Sequence, residues 1–252
     1  MGRIARSELN ERLREVMRAM FFTNETIEWV METMPLGAVR SIIDAVEHEL
    51  GVRQMNKRAK LYRKARFPTL KSIDEYDFSE VAFPENYTKD DLLTLDFVEL
   101  AQDFVFHGKT GRGKTHLAIA LGQMCIEQEK EVRFFTAAEL VLALTGKNKE
   151  GKLESYLKDI GKCEMLIVDE LGYVPIDIEG ARLLYQVIAD CYEKRTLIVT
   201  TNIEFSKWGT ILGDEKLAAA MIDRIVHHGR LVEFNGTSKR MDAALMLGRA
   251  QE

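Results

Sequence analysis

The sequence predicts an α/β fold with a mainly parallel sheet flanked by helices, preceded by a small all-helical domain. Short apolar runs of the kind that form buried strands alternate with helix-forming segments over residues 71–252. A glycine-rich loop joins one of these runs to a helical segment. Over residues 1–70, by contrast, apolar residues recur every three to four positions. We therefore expect a helical domain over 1–70 and an α/β domain over 71–252.

The composition allows a substantial core and indicates no special class of partner. The chain has 252 residues, of which 46% are hydrophobic, and its net charge is −5. Any surface that binds nucleic acid must therefore be local. The odd number of cysteines without metal-site spacing predicts reduced structural thiols at Cys125, Cys163 and Cys191. Neither a signal-peptide pattern nor an apolar run long enough to span a bilayer is present, so we expect a cytoplasmic protein without membrane contact.

Three helices are expected before the first linker. Ser7 can cap the first helix and Asn24 the second, which Pro35 ends. A third helix over residues 39–50 is expected to stop at Gly51, a residue type that favours helix C-termini.

A basic helix is expected over residues 52–66, with an apolar stripe opposite its cations. Every charged residue from Arg53 to Lys71 is basic, and only Glu49 is placed to pair with Arg53. This pattern favours contact with the phosphate backbone of DNA, and the alternative is a solvated face. The stripe consists of Arg53, Lys57, Lys60 and Lys64. Pro68 then breaks the helix, so the domain boundary is expected near residue 70.

Residues Gly108 to Thr115 satisfy the P-loop pattern G-x-x-x-x-G-K-[ST], with an apolar run before the loop and a helical segment after it. Such a loop binds a nucleoside triphosphate, because backbone amides and the helix N-terminus face the phosphates. Lys114 is expected at the β- and γ-phosphates and Thr115 at Mg²⁺. The expected nucleotide-binding residues are Gly108, Lys109, Thr110, Gly111, Arg112, Gly113, Lys114, Thr115 and His116.

The segment before the P-loop contains aromatic residues with two possible roles. Phe78 or Tyr87 either lines an adenine pocket or fills a domain interface. A helix over residues 89–100 is expected to lead into the P-loop strand.

A basic, glycine-containing loop over residues 145–152 follows the next predicted strand, 132–135, and a helix capped by Thr136. It offers a second candidate for nucleic-acid contact, although exposed loops also collect lysine. The lysines concerned are Lys147, Lys149 and Lys152.

Two further strands are expected to end in catalytic side chains. The apolar run 165–168 is followed by Asp169 and Glu170 at the carboxyl end of a buried strand, where open α/β sheets bind ligands. Asp169 is expected to hold Mg²⁺, and Glu170 to polarise the attacking water. Asn202, at the end of the strand 197–202, either orients the same water or forms a turn.

The last elements are a helix capped by Asp214, with Arg224 at its end, and a strand over residues 231–234. The residues after this strand are too few to build a helical lid, so we expect none.

Together these motifs resemble the AAA+ ATPases of the bacterial initiator and helicase-loader clade, and most closely the IstB family, helper ATPases encoded beside the transposase of certain insertion sequences. The likeness extends over nearly the whole chain. It is carried by Gly108–Ala118, Asp169–Pro175, Thr200–Asn202, Trp208 and Asp223–His228.

The resemblance implies a Mg²⁺-dependent ATPase that self-assembles on duplex DNA, deforms it, and recruits and activates its transposase. It implies that ATP lies between adjacent subunits and that hydrolysis resets the complex. By the same resemblance Asn202 is the first sensor and Arg224 the arginine finger. Arg240 is the candidate for a second sensor.

Two other functions remain open from the sequence. One is a DnaC-type helicase loader, which should carry an exposed apolar patch in its N-terminal region. The other is a small-molecule kinase, which would not need Glu170, Asn202 or a basic N-terminal domain.

Overall fold

The computed structural model describes residues 6–242. Their contacts form two compact units, which divide between Lys60 and Leu61. No helix within the described range is long and apolar enough to cross a membrane.

The N-terminal unit is helical, as expected. It contains α1 (Arg6–Ala19), α2 (Asn24–Thr33) and most of α3 (Leu36–Ala65). Thr23, rather than Asn24, caps α2, because the Thr23 hydroxyl accepts a hydrogen bond from the Thr26 amide at 3.3 Å. The buried residues of this unit are Leu9, Leu13, Val16, Met17, Ile27, Val30, Met31, Val39 and Ile43.

Helix α3 runs unbroken through Gly51, so the expected helix end there is wrong. A glycine within a helix costs only about 1 kcal/mol relative to alanine, which a long helix can tolerate. The helix ends at Ala65, where Arg66 adopts a left-handed backbone with φ of 59°. Leu61 and Ala65 are buried in the core of the second unit. The units therefore divide ten residues before the position expected from sequence.

The second unit is built on one sheet. Within residues 6–242 the strand order is β1-β6-β2-β5-β4-β3, and all neighbours are parallel except β1 and β6. This confirms the mainly parallel sheet. The strands are β1 (Val81–Ala82), β2 (Asp103–His107), β3 (Val132–Thr136), β4 (Met165–Leu171), β5 (Thr196–Thr201) and β6 (Gly229–Phe234).

Helices and a 3₁₀ turn at Phe205–Lys207 connect these strands, and one further helix follows the last strand. The helices are α4 (Lys89–Thr94), α5 (Asp96–Glu99), α6 (Lys114–Glu127), α7 (Ala137–Lys149), α8 (Leu153–Ile160), α9 (Ile178–Cys191), α10 (Trp208–Leu212), α11 (Glu215–His227) and α12 (Lys239–Asp242).

Two of the helices between strands differ from the expected ones, so their predicted bounds are wrong. The single helix expected before the P-loop strand is divided at Leu95, whose φ is 64°. Helix α7 continues to Lys149, so most of the expected 145–152 loop is helical. The predicted cap Asp214 is confirmed, because its carboxylate accepts from the amides of Lys216 and Leu217.

Apolar side chains cover both faces of the sheet, because alternate residues of a strand point to opposite sides. Phe104 and Phe106 belong to one buried cluster, and Val105 belongs to the other. The three cysteines are buried and unpaired, as predicted. Burial raises the pKa of the Cys125 and Cys163 thiols to about 12, which keeps them unreactive.

Candidate nucleotide-binding site

The P-loop connects the end of β2 to the start of α6, and its backbone requires glycine. Gly111 and Gly113 have φ of 84° and 89°, in the left-handed region that other residues rarely adopt. A Cβ atom on Gly113 would also lie 2.9 Å from the Tyr76 hydroxyl oxygen. The glycines therefore allow a compact loop at the positive end of the α6 dipole.

This loop borders a cavity of about 780 Å³. Residues Thr110 to His116, which the sequence predicts to bind nucleotide, line it. Gly108 and Lys109 contribute differently, because their carbonyls accept hydrogen bonds from Lys114 Nζ at 2.6 and 2.9 Å. The cavity is also lined by Tyr76, Asp77, Asp169, Glu170, Thr200, Asn202, Lys239 and Arg240, among others.

The ammonium group of Lys114 is partly withdrawn from water. Burial lowers the pKa of Lys114 to about 8, the nearby Asp169 carboxylate opposes this shift, and Arg112 and Arg240 add to it. The lysine is therefore short of compensating negative charge, which phosphate groups would supply.

A hydroxyl and a carboxylate meet where the sequence predicts Mg²⁺. The Thr115 hydroxyl donates to the two Asp169 carboxylate oxygens at 2.8 and 3.1 Å. Asp169 is 4% exposed, and the Thr200 hydroxyl donates to it as well. Hard oxygen donors of this type suit Mg²⁺, so these residues fit the ion.

Glu170 lies within β4 at a register shift between Val168 and Leu171. Its backbone is left-handed, with φ of 59°, and its amide donates to the Thr200 hydroxyl at 3.0 Å. This irregularity leaves the Glu170 carboxylate exposed beside the buried Asp169, and both residues line the cavity. Asn202 lines the same cavity from the end of β5.

Of the two roles left open for Phe78 and Tyr87, lining the nucleotide cavity is not supported, because neither residue lines it. The Phe78 ring packs on Tyr76, and the Tyr87 ring packs on Phe104, with ring centroids 4.8 and 5.6 Å apart. Both rings belong to the second unit's core, and Tyr76 is the aromatic residue of this segment that lines the cavity. No sequence pattern favours Tyr76 over Phe78, because an irregular segment has no side-chain period. Thr200 was also missed, although threonine hydroxyls directly after the apolar run 197–199 were a usable signal.

Arg224 lies in the last turn of α11 and is not among the residues lining the cavity. Its guanidinium donates to the Ala220 carbonyl at 3.0 Å and lies 4.9 Å from the centre of the Tyr185 ring. Arg240 does line the cavity.

The predicted DNA-binding stripe on α3 is partly neutralised. Arg53 pairs with Glu49 at 2.8 Å, as the sequence suggested, and Lys64 pairs with Glu131 at 2.8 Å. Lys57 and Lys60 are exposed. The apolar stripe expected opposite them is not fully buried, since Val52 and Met55 are exposed.

The second basic segment is also less positive than its sequence suggests. Lys147 and Lys152 both pair with Glu150, at 2.9 and 3.4 Å, while Lys149 is exposed at the end of α7.

Known proteins of similar sequence are described as ATP-binding proteins. Residues 28–245 match the family described as IstB-like ATP binding protein. A protein named as an ATP-binding protein of insertion sequence IS232, from Bacillus thuringiensis subsp. berliner, is 37% identical over 82% of each chain. Its counterpart from IS5376 of Geobacillus stearothermophilus is 38% identical over 78% of each chain.

Two solved structures share the fold. The DnaC helicase loader aligns with a TM-score of 0.51 at 23% identity, covering 65% of this chain and 96% of that one. AMPPCP-bound DnaA from Aquifex aeolicus aligns with a TM-score of 0.52 at 15% identity, covering 70% and 53%. The AAA+ fold and the family resemblance inferred from the motifs are thus confirmed.

Proposed function

Because the chain belongs to the family of IstB-like ATP-binding proteins, we propose that it hydrolyses ATP in order to assemble on duplex DNA and to recruit and activate a transposase. In this proposal the transposase is encoded by the same insertion sequence, assembly deforms the DNA, and hydrolysis resets the complex. The names of the relatives, which refer to insertion sequences, support the DNA and transposase parts.

The observation that carries the ATPase proposal is the convergence of Thr115, Asp169, Glu170 and Asn202 on one phosphate-binding cavity. Mg²⁺ held by Thr115 and Asp169 would neutralise phosphate charge. Lys114 binds the phosphates, Glu170 accepts the proton of the attacking water, and Asn202 orients that water.

A second copy of the chain completes this site. Arg224 lies outside the cavity of its own subunit, so in this proposal it reaches the nucleotide of a neighbour and stabilises negative charge in the transition state. Such a head-to-tail contact is heterologous and forms rings or open helices, which duplex DNA would promote as a shared polyanionic track.

The test mixes two variants that are each inactive alone, Arg224→Ala and Lys114→Ala. In a mixed assembly, some interfaces join the intact P-loop of an Arg224→Ala subunit to the intact Arg224 of a Lys114→Ala subunit. Recovered ATPase activity in the mixture is expected. Lys216→Ala, which removes an exposed cation from the other end of α11, serves as a control and should remain active alone. Co-assembly without recovery would refute action by Arg224 in trans.

A DnaC-type helicase loader is the second candidate, and one observation favours it. Phe21, Phe22 and Trp29 in the N-terminal unit are 90%, 43% and 54% exposed, which is the apolar surface expected of a helicase-binding module. The two functions are separated by adding ATP and this protein either to the transposase or to a replicative helicase. Stimulation of DNA strand transfer is expected, and stimulation of helicase loading alone would favour the second candidate.

A further inference from the structure

Tyr76 has a buried hydroxyl group that makes no hydrogen bond to any described residue. The side chain is 9% exposed, and its oxygen is fully enclosed without a partner. An unsatisfied buried hydroxyl is costly, and native structures usually pair such groups. The ring lines the same cavity as the P-loop, so a ligand in that cavity is available to pair with it.

The surroundings of Tyr76 hold the hydroxyl in place. Its ring meets the rings of Phe78 and His116 edge-on, at centroid distances of 4.8 and 5.1 Å, and the Lys239 ammonium lies 5.7 Å from its centre. The hydroxyl itself lies against Gly113 of the P-loop. The ring is therefore packed on several sides, and its oxygen is held against the phosphate-binding loop.

The order of the strands indicates which part of a nucleotide this oxygen would meet. Asp169 lies near the carboxyl end of β4 and Asn202 follows β5, both on one side of the P-loop strand β2, and in the proposed function they mark the metal and terminal-phosphate end. Tyr76 precedes β1, and Lys239 follows β6, on the other side of β2. A nucleotide with its β-phosphate in the P-loop thus has its γ-phosphate toward β4 and β5 and its nucleoside toward Tyr76.

We propose that Tyr76 is a nucleotide-positioning residue whose hydroxyl forms a hydrogen bond with the nucleoside part of ATP. This inference rests on the proposed use of the cavity for ATP. The bond would fix the nucleoside relative to the P-loop without contacting the reacting phosphate. Loss of the hydroxyl should accordingly weaken binding far more than it slows the chemical step.

The experiment removes only the oxygen, by Tyr76→Phe, and compares three measurements. Without nucleotide, the melting temperature should stay the same or rise, because an unpaired polar atom has been removed. The Kd and KM for ATP should rise about three- to tenfold, the range expected for one neutral hydrogen bond, with kcat nearly unchanged. Displacement of a fluorescent ATP analogue by inorganic tripolyphosphate, which has no nucleoside, should give the same inhibition constant as in the unaltered protein.

Tyr87→Phe is the matched control. Tyr87 also has an enclosed hydroxyl without a partner among the described residues, but it does not line the cavity. Its removal should leave ATP affinity unchanged.

Three results would overturn the proposal: unchanged ATP affinity in Tyr76→Phe, an equal loss for ATP and tripolyphosphate, or a lowered melting temperature without nucleotide. Unchanged ATP affinity would mean that the Tyr76 hydroxyl does not contact the nucleotide. An equal loss for ATP and tripolyphosphate would place the contact at the phosphates, and a lowered melting temperature would indicate that the hydroxyl has a partner within the protein. Failure of the unaltered protein to bind ATP would instead refute the proposed function itself.

Discussion

Replacing Thr200 with valine tests whether the neighbouring strand organises the carboxylates of Asp169 and Glu170, to which we assign the catalytic roles. Thr200 is 1% exposed on β5. Its hydroxyl donates to Asp169 and accepts from the Glu170 amide. Valine has nearly the same shape but can do neither, so Asp169 loses one of its donors and a backbone N–H group loses its partner.

The size of the effect follows from these two bonds. A hydrogen bond to a charged group contributes about 1.5–3 kcal/mol, and an unsatisfied buried amide costs about 1–3 kcal/mol. Because both act through one oxygen, we expect a combined loss of about 2–4 kcal/mol in the free energy of unfolding. For a unit of this size that lowers the melting temperature by roughly 4–16 °C.

The assay follows thermal unfolding of the second unit through the fluorescence of the buried Trp208, in protein whose other tryptophan, Trp29, is replaced by phenylalanine, together with ATPase activity. Thr196→Val is the control, because Thr196 lies buried on the same strand and its hydroxyl donates to the Phe97 carbonyl, at 3.2 Å, and to neither Asp169 nor Glu170. It should cost about 1 kcal/mol and preserve turnover. Thr200→Val should reduce turnover about tenfold or more, since misplaced catalytic groups lose rate steeply. If the two variants were equally stable and equally active, the organising role of Thr200 would be refuted.

Glu170→Gln should retain ATP binding but nearly abolish turnover, because an amide cannot accept the proton from water; near-normal turnover in the nucleotide-bound variant would exclude this role. ATP binding at pH 8.5 should take up protons, because phosphate stabilises the ammonium form of Lys114, whose pKa is about 8 in the structure described here. Calorimetry in two buffers of different ionisation enthalpy measures this uptake, which should disappear in Lys114→Arg. Replacing Lys57 and Lys60 with glutamine should flatten the slope of log K against log salt for duplex binding by up to about 1.8, if each neutralises one phosphate. An unchanged slope would instead direct attention to Lys149 at the end of α7.

The sequence predicted the parts of the site that are local in the chain. The P-loop glycines, Lys114 and Thr115 are contiguous, and the strand that carries Asp169 and Glu170 has an unmistakable apolar run. The backbone conformation at these residues depends mainly on their neighbours in the chain, so the sequence pattern predicts the local structure.

The errors involve contacts between residues distant in sequence. The ion pair of Lys64 with Glu131 removes a cation from the basic stripe, and no spacing rule could have identified that partner. Tyr76 rather than Phe78 lines the cavity because of how the irregular segment that carries both residues is oriented against Gly113. Gly51 was expected to end a helix, but a glycine signals a helix end only where the surrounding residues do not continue it.

The left-handed backbone at Glu170 bears on which carboxylate the chain can use there. Aspartate and asparagine adopt this conformation several times more readily than most residues, so the backbone alone would favour aspartate. The chain carries glutamate instead, at a position where its carboxylate is exposed to the cavity. The extra methylene of glutamate places the carboxylate farther from the backbone than aspartate could, although the left-handed backbone is less favourable for glutamate. If Glu170 accepts a proton from the attacking water as proposed, the distance from the backbone to that water, and not the charge alone, would limit which acidic residue can serve at this position.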